Sequence, residues 1–275
     1  MERVAHSSST IGVSIPQVVL QDLARVEERL REELASREPR LTTVATHFVG
    51  PGGERLRSLM LLLVAHAAAN GPLVRRGDAI DVAVALELLH CAARLHDDIV
   101  HGTSVRPDTP LAPATSGCAA ALVAGDFLFS RAFSLCGRVE SIVLQWATVA
   151  CVTIAESTML ETRARRDPDA TPGERLELAD RKTATLFGTA TGLAAHVAVA
   201  EPELVDAMHA CGVHAGRVVR LRDDPVAGAW VRTEVEHACA KIAALPTSLY
   251  RDALQAIVQR LGTRSAPSVE HPAWV

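Results

Sequence analysis

The sequence predicts an all-α protein, a single-domain helical bundle whose core is built from small and medium aliphatic side chains. Three observations carry that expectation. Of 275 residues 48% are apolar, yet these include 1 Tyr, 3 Trp and 5 Phe, so Ala, Leu and Val must fill the interior; Ala and Leu lose little side-chain freedom in a helix. Helical periodicity recurs in eight segments, near residues 16–37, 54–70, 78–101, 116–137, 140–166, 173–199, 202–222 and 230–261. Sustained strand alternation is missing, and no repeat, low-complexity block or linker divides the chain. The predicted domain is 16–265, between a flexible tail at 1–15 and a second tail at 266–275.

The opening stretch "MERVAHSSSTIGVSIPQ" lacks the unbroken apolar core of a signal peptide. "GPGG" (50–53) and "NGPL" (70–73) bracket the second helix. Its "LMLLLVAHAAA" (59–69) is about 11 residues long, short of the roughly 18 that a membrane span needs. The third helix begins at Asp78, an N-cap residue type, and runs about 24 residues, or roughly 36 Å. "DPDATPG" (167–173) and "DDPVAG" (223–228) separate the later helices. Net charge is −4, which excludes a global basic field for nucleic acid. Cys91, Cys118, Cys136, Cys151, Cys211 and Cys239 form no CxxC pair and lie in apolar helical runs, so buried reduced thiols in a cytoplasmic protein are expected.

The third helix carries a polar seam. Glu87, His90, Arg94, Asp97, Asp98 and His101 follow spacings of 3, 4, 3, 1 and 3, which set them on one stripe facing water or a polar cavity. Asp97 and Asp98 stand at the helix C-terminus, where the backbone dipole disfavours carboxylates by about 0.3–1 kcal/mol each; a compensating cation reverses that sign. Asp223 and Asp224, stopped by Pro225, repeat the arrangement. Two such pairs facing across a bundle suit Mg²⁺ and a diphosphate, because hard cations take oxygen and share it with phosphate. Either pair could instead be solvated, or pair with Arg94 and Arg220, four residues upstream. A third reading uses E-x-x-H, present as Glu87…His90 and Glu234…His237, the motif of di-iron bundles.

Several stretches in order resemble the trans-isoprenyl diphosphate synthases, or polyprenyl synthetases: "GGERLRSLMLLL" (52–63), "ELLHCAARLHDDIVHGTSVRPDTP" (87–110), "GDFLFSRAF" (125–133), "KTATLFGTATGLAA" (182–195), "GRVVRLRDD" (216–224) and "ALPTSLYRDAL" (244–254). The resemblance implies an isoprenoid-synthase-type bundle around a central cavity, usually dimeric. It implies Mg²⁺ held by Asp97, Asp98, Asp223 and Asp224 against an allylic prenyl diphosphate, whose ionisation lets isopentenyl diphosphate attack. By position, Arg106 and Lys182 would hold the allylic diphosphate and Arg55 would contact isopentenyl diphosphate. Ala92 and Ala93 fall where the family sets product length, and their small size would leave the cavity floor open.

The departures cluster. Glu54 stands where the family has Lys, His101 and Ala227 replace the third acids of the two motifs, Pro107 replaces an Arg, and Arg220 replaces a Gln. Arg94 takes a usually apolar position, and a Lys-bearing loop after Asp224 is missing. His101 is then an altered ligand or a proton acceptor. Three functions follow: a divergent prenyltransferase that elongates a prenyl diphosphate; a non-catalytic subunit paired with an active synthase; or an enzyme that ionises the allylic diphosphate and cyclises it or passes it to another acceptor. For the last, Phe127, Phe129, Phe133 and Phe187 are the aromatic candidates to face a cation.

Overall fold

The computed structural model describes residues 13–50, 55–102, 105–106, 109–110, 117–167, 172–224 and 227–263. The predicted tails therefore lie almost wholly outside the described residues. Helices α1 (Gln17–Glu33), α2 (Pro39–Val49), α3 (Leu56–Ala68) and α4 (Arg76–Val100) are followed by a two-strand ribbon, β1 (Val105–Arg106) and β2 (Thr109–Pro110), then α5 (Cys118–Val139), α6 (Ser141–Arg166), α7 (Pro172–Val197), α8 (Pro202–Leu221), α9 (Gly228–Ile242) and α10 (Leu249–Thr263). The ribbon is antiparallel, with Arg106 opposite Thr109.

The helix α4 is central, with α1, α2, α3, α5, α6 and α7 packed on it. From Ala79 to Leu89 nearly every side chain is buried, and its α3 neighbours Leu59 to Ala65 are buried all round. A helix apolar on all faces belongs in the middle of a bundle. Gly102, at φ +60°, ends α4 in the left-handed conformation that glycine adopts without strain. α7 and α8 run antiparallel in the closest helix pairing. A Cβ on Gly212 would stand 2.2 Å from the Phe187 carbonyl oxygen, and one on Gly216 would stand 2.7 Å from the Ala184 Cα. Bare backbone at those two positions is what lets the helices meet.

Five expectations need correction. α4 starts at Arg76 rather than Asp78; Asp78 receives the Arg75 Nε at 2.7 Å instead of capping the helix. Residues 39–49 form a helix of their own, opened by Pro39 and capped by the Glu38 side chain on the Arg40 N–H at 3.1 Å. The segment 230–261 is two helices, split near Pro246. In addition, α5 and α6 are long and apolar enough to cross a membrane by length and composition, although neither contains an unbroken apolar run. Both are largely unburied in the chain. Val149, Val152, Met159 and Leu160 lie exposed along one side of α6, with Leu122 and Val123 exposed on α5. The cysteines are unbonded, and Cys118 is exposed rather than buried.

Candidate active site

The seam of α4 turns inward, and it splits into two charged clusters. At the C-terminal end, Asp97 reaches across to α6 and α7. Lys182 Nζ donates to both Asp97 oxygens, at 3.0 and 2.9 Å, and to Glu161 Oε2 at 2.8 Å. Thr158 Oγ1 stands 2.9 Å from Asp97 Oδ1. His101 Nε2 lies 3.8 Å from Glu161 Oε2, and among the described residues this buried nitrogen makes no hydrogen bond. Asp98, one residue on, is 4% exposed. Burial pushes its carboxyl up to about 6, opposed by Arg94 and reinforced by Asp97. Asp97 and Glu161 thus share one lysine, with Asp98 buried beside them.

The upstream cluster is cationic. Glu87, 2% exposed, accepts from Arg57 Nη2 at 3.2 Å and Ser58 Oγ at 3.0 Å, with Arg55 Nη1 at 3.7 Å. Burial alone would push its carboxyl up, but Arg57 and Arg55 more than offset that and hold it below the ordinary range. Burial, followed by Arg57, Arg94 and Arg55, drives the His90 imidazole well below its usual pKa, so it is neutral. Arg94 stacks 5.8 Å from the Phe48 ring, and Arg57 lies 5.5 Å from that of Phe187. The di-iron reading is not supported: Glu87 is taken up by arginines, and α9, which carries the second E-x-x-H motif, is not among the helices packed on α4.

Asp223 and Asp224 follow α8. Gly216 crosses α7 at Ala184, two residues from Lys182, and the second acid pair lies about two helical turns further along α8. Both pairs therefore sit at the end of the bundle where α7 begins. Asp223 is 37% exposed beside Arg222 Nε at 3.8 Å, and the Asp224 carbonyl accepts the Ala227 N–H at 3.2 Å, which folds the chain straight into α9.

The remaining expected residues fall unevenly. Arg55, in a left-handed conformation at φ 44°, is turned inside: its Nε meets Glu27 Oε1 at 2.6 Å and its Nη2 the Gly50 carbonyl at 2.8 Å. Arg106 is placed in the ribbon by its backbone, while Glu54 and Pro107 lie outside the described residues. Ala92 is fully buried, whereas Ala93 keeps partial exposure. Glu161, Thr158 and Arg57 contact the expected residues Lys182, Asp97 and Glu87 without having been singled out in the sequence. The first two sit on α6, whose acids and hydroxyls carry no local motif; Arg57 lies inside the "GGERLRS" stretch, two residues after Arg55.

Residues 38–227 match the polyprenyl synthetase family model. The chain belongs to that family. It is 34% identical over 208 residues to an all-trans-nonaprenyl-diphosphate synthase (geranyl-diphosphate specific) of Rhodobacter capsulatus, covering 75% of this chain and 62% of that one. To a short chain isoprenyl diphosphate synthase of Methanothermobacter thermautotrophicus it is 32% identical over 204 residues, covering 72% and 62%. The chain thus spans under two thirds of the length of these relatives. The fold matches a polyprenyl synthase of Caulobacter crescentus, solved with calcium and isoprenyl diphosphate, at a TM-score of 0.80 and 22% identity over 96% of this chain and 98% of that one. A geranylgeranyl pyrophosphate synthetase from Pyrococcus horikoshii gives the same TM-score at 19% identity, over 96% and 99%.

Proposed function

We propose that the chain is a trans-prenyltransferase that ionises an allylic prenyl diphosphate and joins it to isopentenyl diphosphate. The observation that carries this is the Asp97–Lys182–Glu161 cluster, an acid-rich site with one ammonium at the end of a buried helix. Its relatives are named as synthases of prenyl diphosphates. Mg²⁺ fits the donors: Asp97, Asp98, Asp223 and Asp224 offer only oxygen, and a cation beside Asp98 would recharge a carboxyl that burial keeps half protonated near pH 6. Bound there, Mg²⁺ would neutralise the charge growing on a departing diphosphate. Lys182 would then turn from Asp97 to the phosphate oxygens, a role suited to a flexible point charge. His101, a nitrogen donor, suits Mg²⁺ poorly and is left out of that set.

For the second diphosphate the geometry favours Arg57 over Arg55. Arg55 is held by Glu27, Glu87 and two carbonyls. Arg57 gives one nitrogen to Glu87, while its Nε makes no hydrogen bond among the described residues. We also propose a dimer, homomeric or with a related synthase, formed through the exposed apolar stripe of α5 and α6. Single apolar side chains on a surface are ordinary, whereas several on two helices that pack together suit an interaction face. Sedimentation of the purified chain alone reads the homomeric state directly.

Product analysis tests the function. Ten-, fifteen- and twenty-carbon allylic diphosphates are offered with Mg²⁺, with and without isopentenyl diphosphate. A prenyl product longer than the allylic substrate is expected. Diphosphate release without isopentenyl diphosphate would mean cyclisation or another acceptor. Inactivity of the folded chain towards all three would assign it the role of a non-catalytic subunit.

A further inference from the structure

A second group of ligating side chains lies away from the aspartates, between α8 and α9. His214, Glu234 and His237 each offer one ligand atom, and these atoms all fall within 4.8 Å of one another. We propose that His214, Glu234 and His237 form a binding site for a divalent transition-metal ion of the zinc class, tying α9 to α8.

Local structure builds the cluster. Six residues, 222–227, separate the two helices, so α9 folds directly back onto α8. On α9, Val231, Ala238 and Ile242 are buried, and Glu234 shares their stripe at helical spacing, which points it at α8. His237, one turn on, stands at the exposed flank of the same face. From α8, His214 Nδ1 meets Glu234 Oε2 at 2.6 Å, and the two imidazole rings lie 5.0 Å apart, inclined at 56°. Arg217 Nη1 holds the other Glu234 oxygen at 3.4 Å. That contact fixes the carboxylate with Oε2 turned to the histidines, as an outer-shell partner orients a ligand.

The donor set selects the ion. Two imidazoles with one carboxylate suit Zn²⁺, Ni²⁺ or Cu²⁺, whereas Mg²⁺ keeps to oxygen. Ligands on a tetrahedral Zn²⁺ stand about 3.3 Å apart, from bond lengths of about 2.0–2.1 Å. His214 and Glu234 are already nearer than that, and the exposed His237 side chain closes the remaining gap by rotating. A fourth position stays open to water. The ion would hold α9 against the helix that Asp223 and Asp224 follow, so it acts on the second acid pair by position and not by chemistry.

The test is a Zn²⁺ titration by calorimetry of the full chain, stripped with EDTA and then held in excess Mg²⁺ to occupy the aspartates. Helical content is followed by circular dichroism. The wild-type chain and Asp223→Asn are expected to take up one Zn²⁺ each with equal affinity and to gain thermal stability. His237→Ala, at an exposed position that leaves folding intact, and Glu234→Gln should each weaken binding by about tenfold or more. Saturable zinc binding that survives His237→Ala unchanged, or none in the folded wild-type chain, overturns the proposal.

Discussion

Lys182 and Asp97 form a two-oxygen ion pair across the bundle, with Nζ at 3.0 and 2.9 Å from the two carboxylate oxygens. One side chain comes from the end of the central helix and the other from the second quarter of α7, so the pair measures how these helices are set against each other. It also holds in check an acidic site that includes Glu161 and Asp98.

Replacing the lysine separates its two roles. Lys182→Met should lose about 1–2 kcal/mol of stability in EDTA, a value discounted for the partial exposure of the pair. Mg²⁺ should restore more stability to the variant than it adds to the wild-type chain, because Asp97 has then lost its ammonium partner and binds the ion more tightly. Thermal unfolding in EDTA and in Mg²⁺ reads both effects. Equal shifts in the two proteins would separate Lys182 from the metal site.

Asp98 gives stability a pH dependence of defined sign. Its folded carboxyl titrates at about 6 against an ordinary 3.8, so between those values the folded chain holds a proton that the unfolded chain has lost. Stability therefore falls as pH rises through that window, by about 3 kcal/mol in all. In EDTA, Asp98→Asn should be more stable than wild type at about pH 7.5 and lose that advantage below about pH 4. Denaturant unfolding across this range checks the crossover.

Two glycines make opposite predictions. A Cβ at Gly212 meets the Phe187 carbonyl at 2.2 Å, and backbone cannot swing aside as a side chain can. Gly212→Ala should cost about 2–4 kcal/mol by forcing α7 and α8 apart, and with them the acid pairs. Gly137→Ala meets only Leu144, at 3.8 Å, and should gain about 0.5 kcal/mol from helix propensity. Melting temperatures of the two variants should move in opposite directions.

The sequence made the α4 seam legible because its spacing follows the helix: Glu87, His90, Arg94 and Asp97 do lie on one inward face. It also singled out both acid pairs and Lys182 as candidates, through stretches that keep their order along the chain. What stayed hidden has physical causes. Helix α2 is rich in Thr and Val, whose branched side chains weaken the helical signal, and its burial rests on tertiary contacts of Ala45 and Val49. Glu161 and Thr158 matter because α6 passes beside α4, and no local spacing announces a partner more than 60 residues away. Which of the neighbouring Arg55 and Arg57 is held by Glu27 is likewise a matter of side-chain direction, which residue spacing does not encode.

Thiol chemistry follows the burial of the helices. Burial, with Cys151 and Cys239 respectively adding to it, pushes the Cys136 and Cys211 thiols up to about 12. Cys118 is exposed at the start of α5. Iodoacetamide at about pH 8 should modify Cys118 and leave Cys136 and Cys211 unmodified until the chain unfolds, because the thiolate is the reacting species. Peptide mass mapping before and after denaturation gives the answer.

The cluster around Asp97 and Lys182 is proposed to ionise an allylic diphosphate. Its most direct test is single-turnover diphosphate release with Mg²⁺ and isopentenyl diphosphate, comparing wild type, Asp97→Ala and Lys182→Ala at matched helical content. Release by the wild-type chain, slowed by about 100-fold or more in each variant, is the predicted result. Release at the wild-type rate from folded Asp97→Ala would contradict the account.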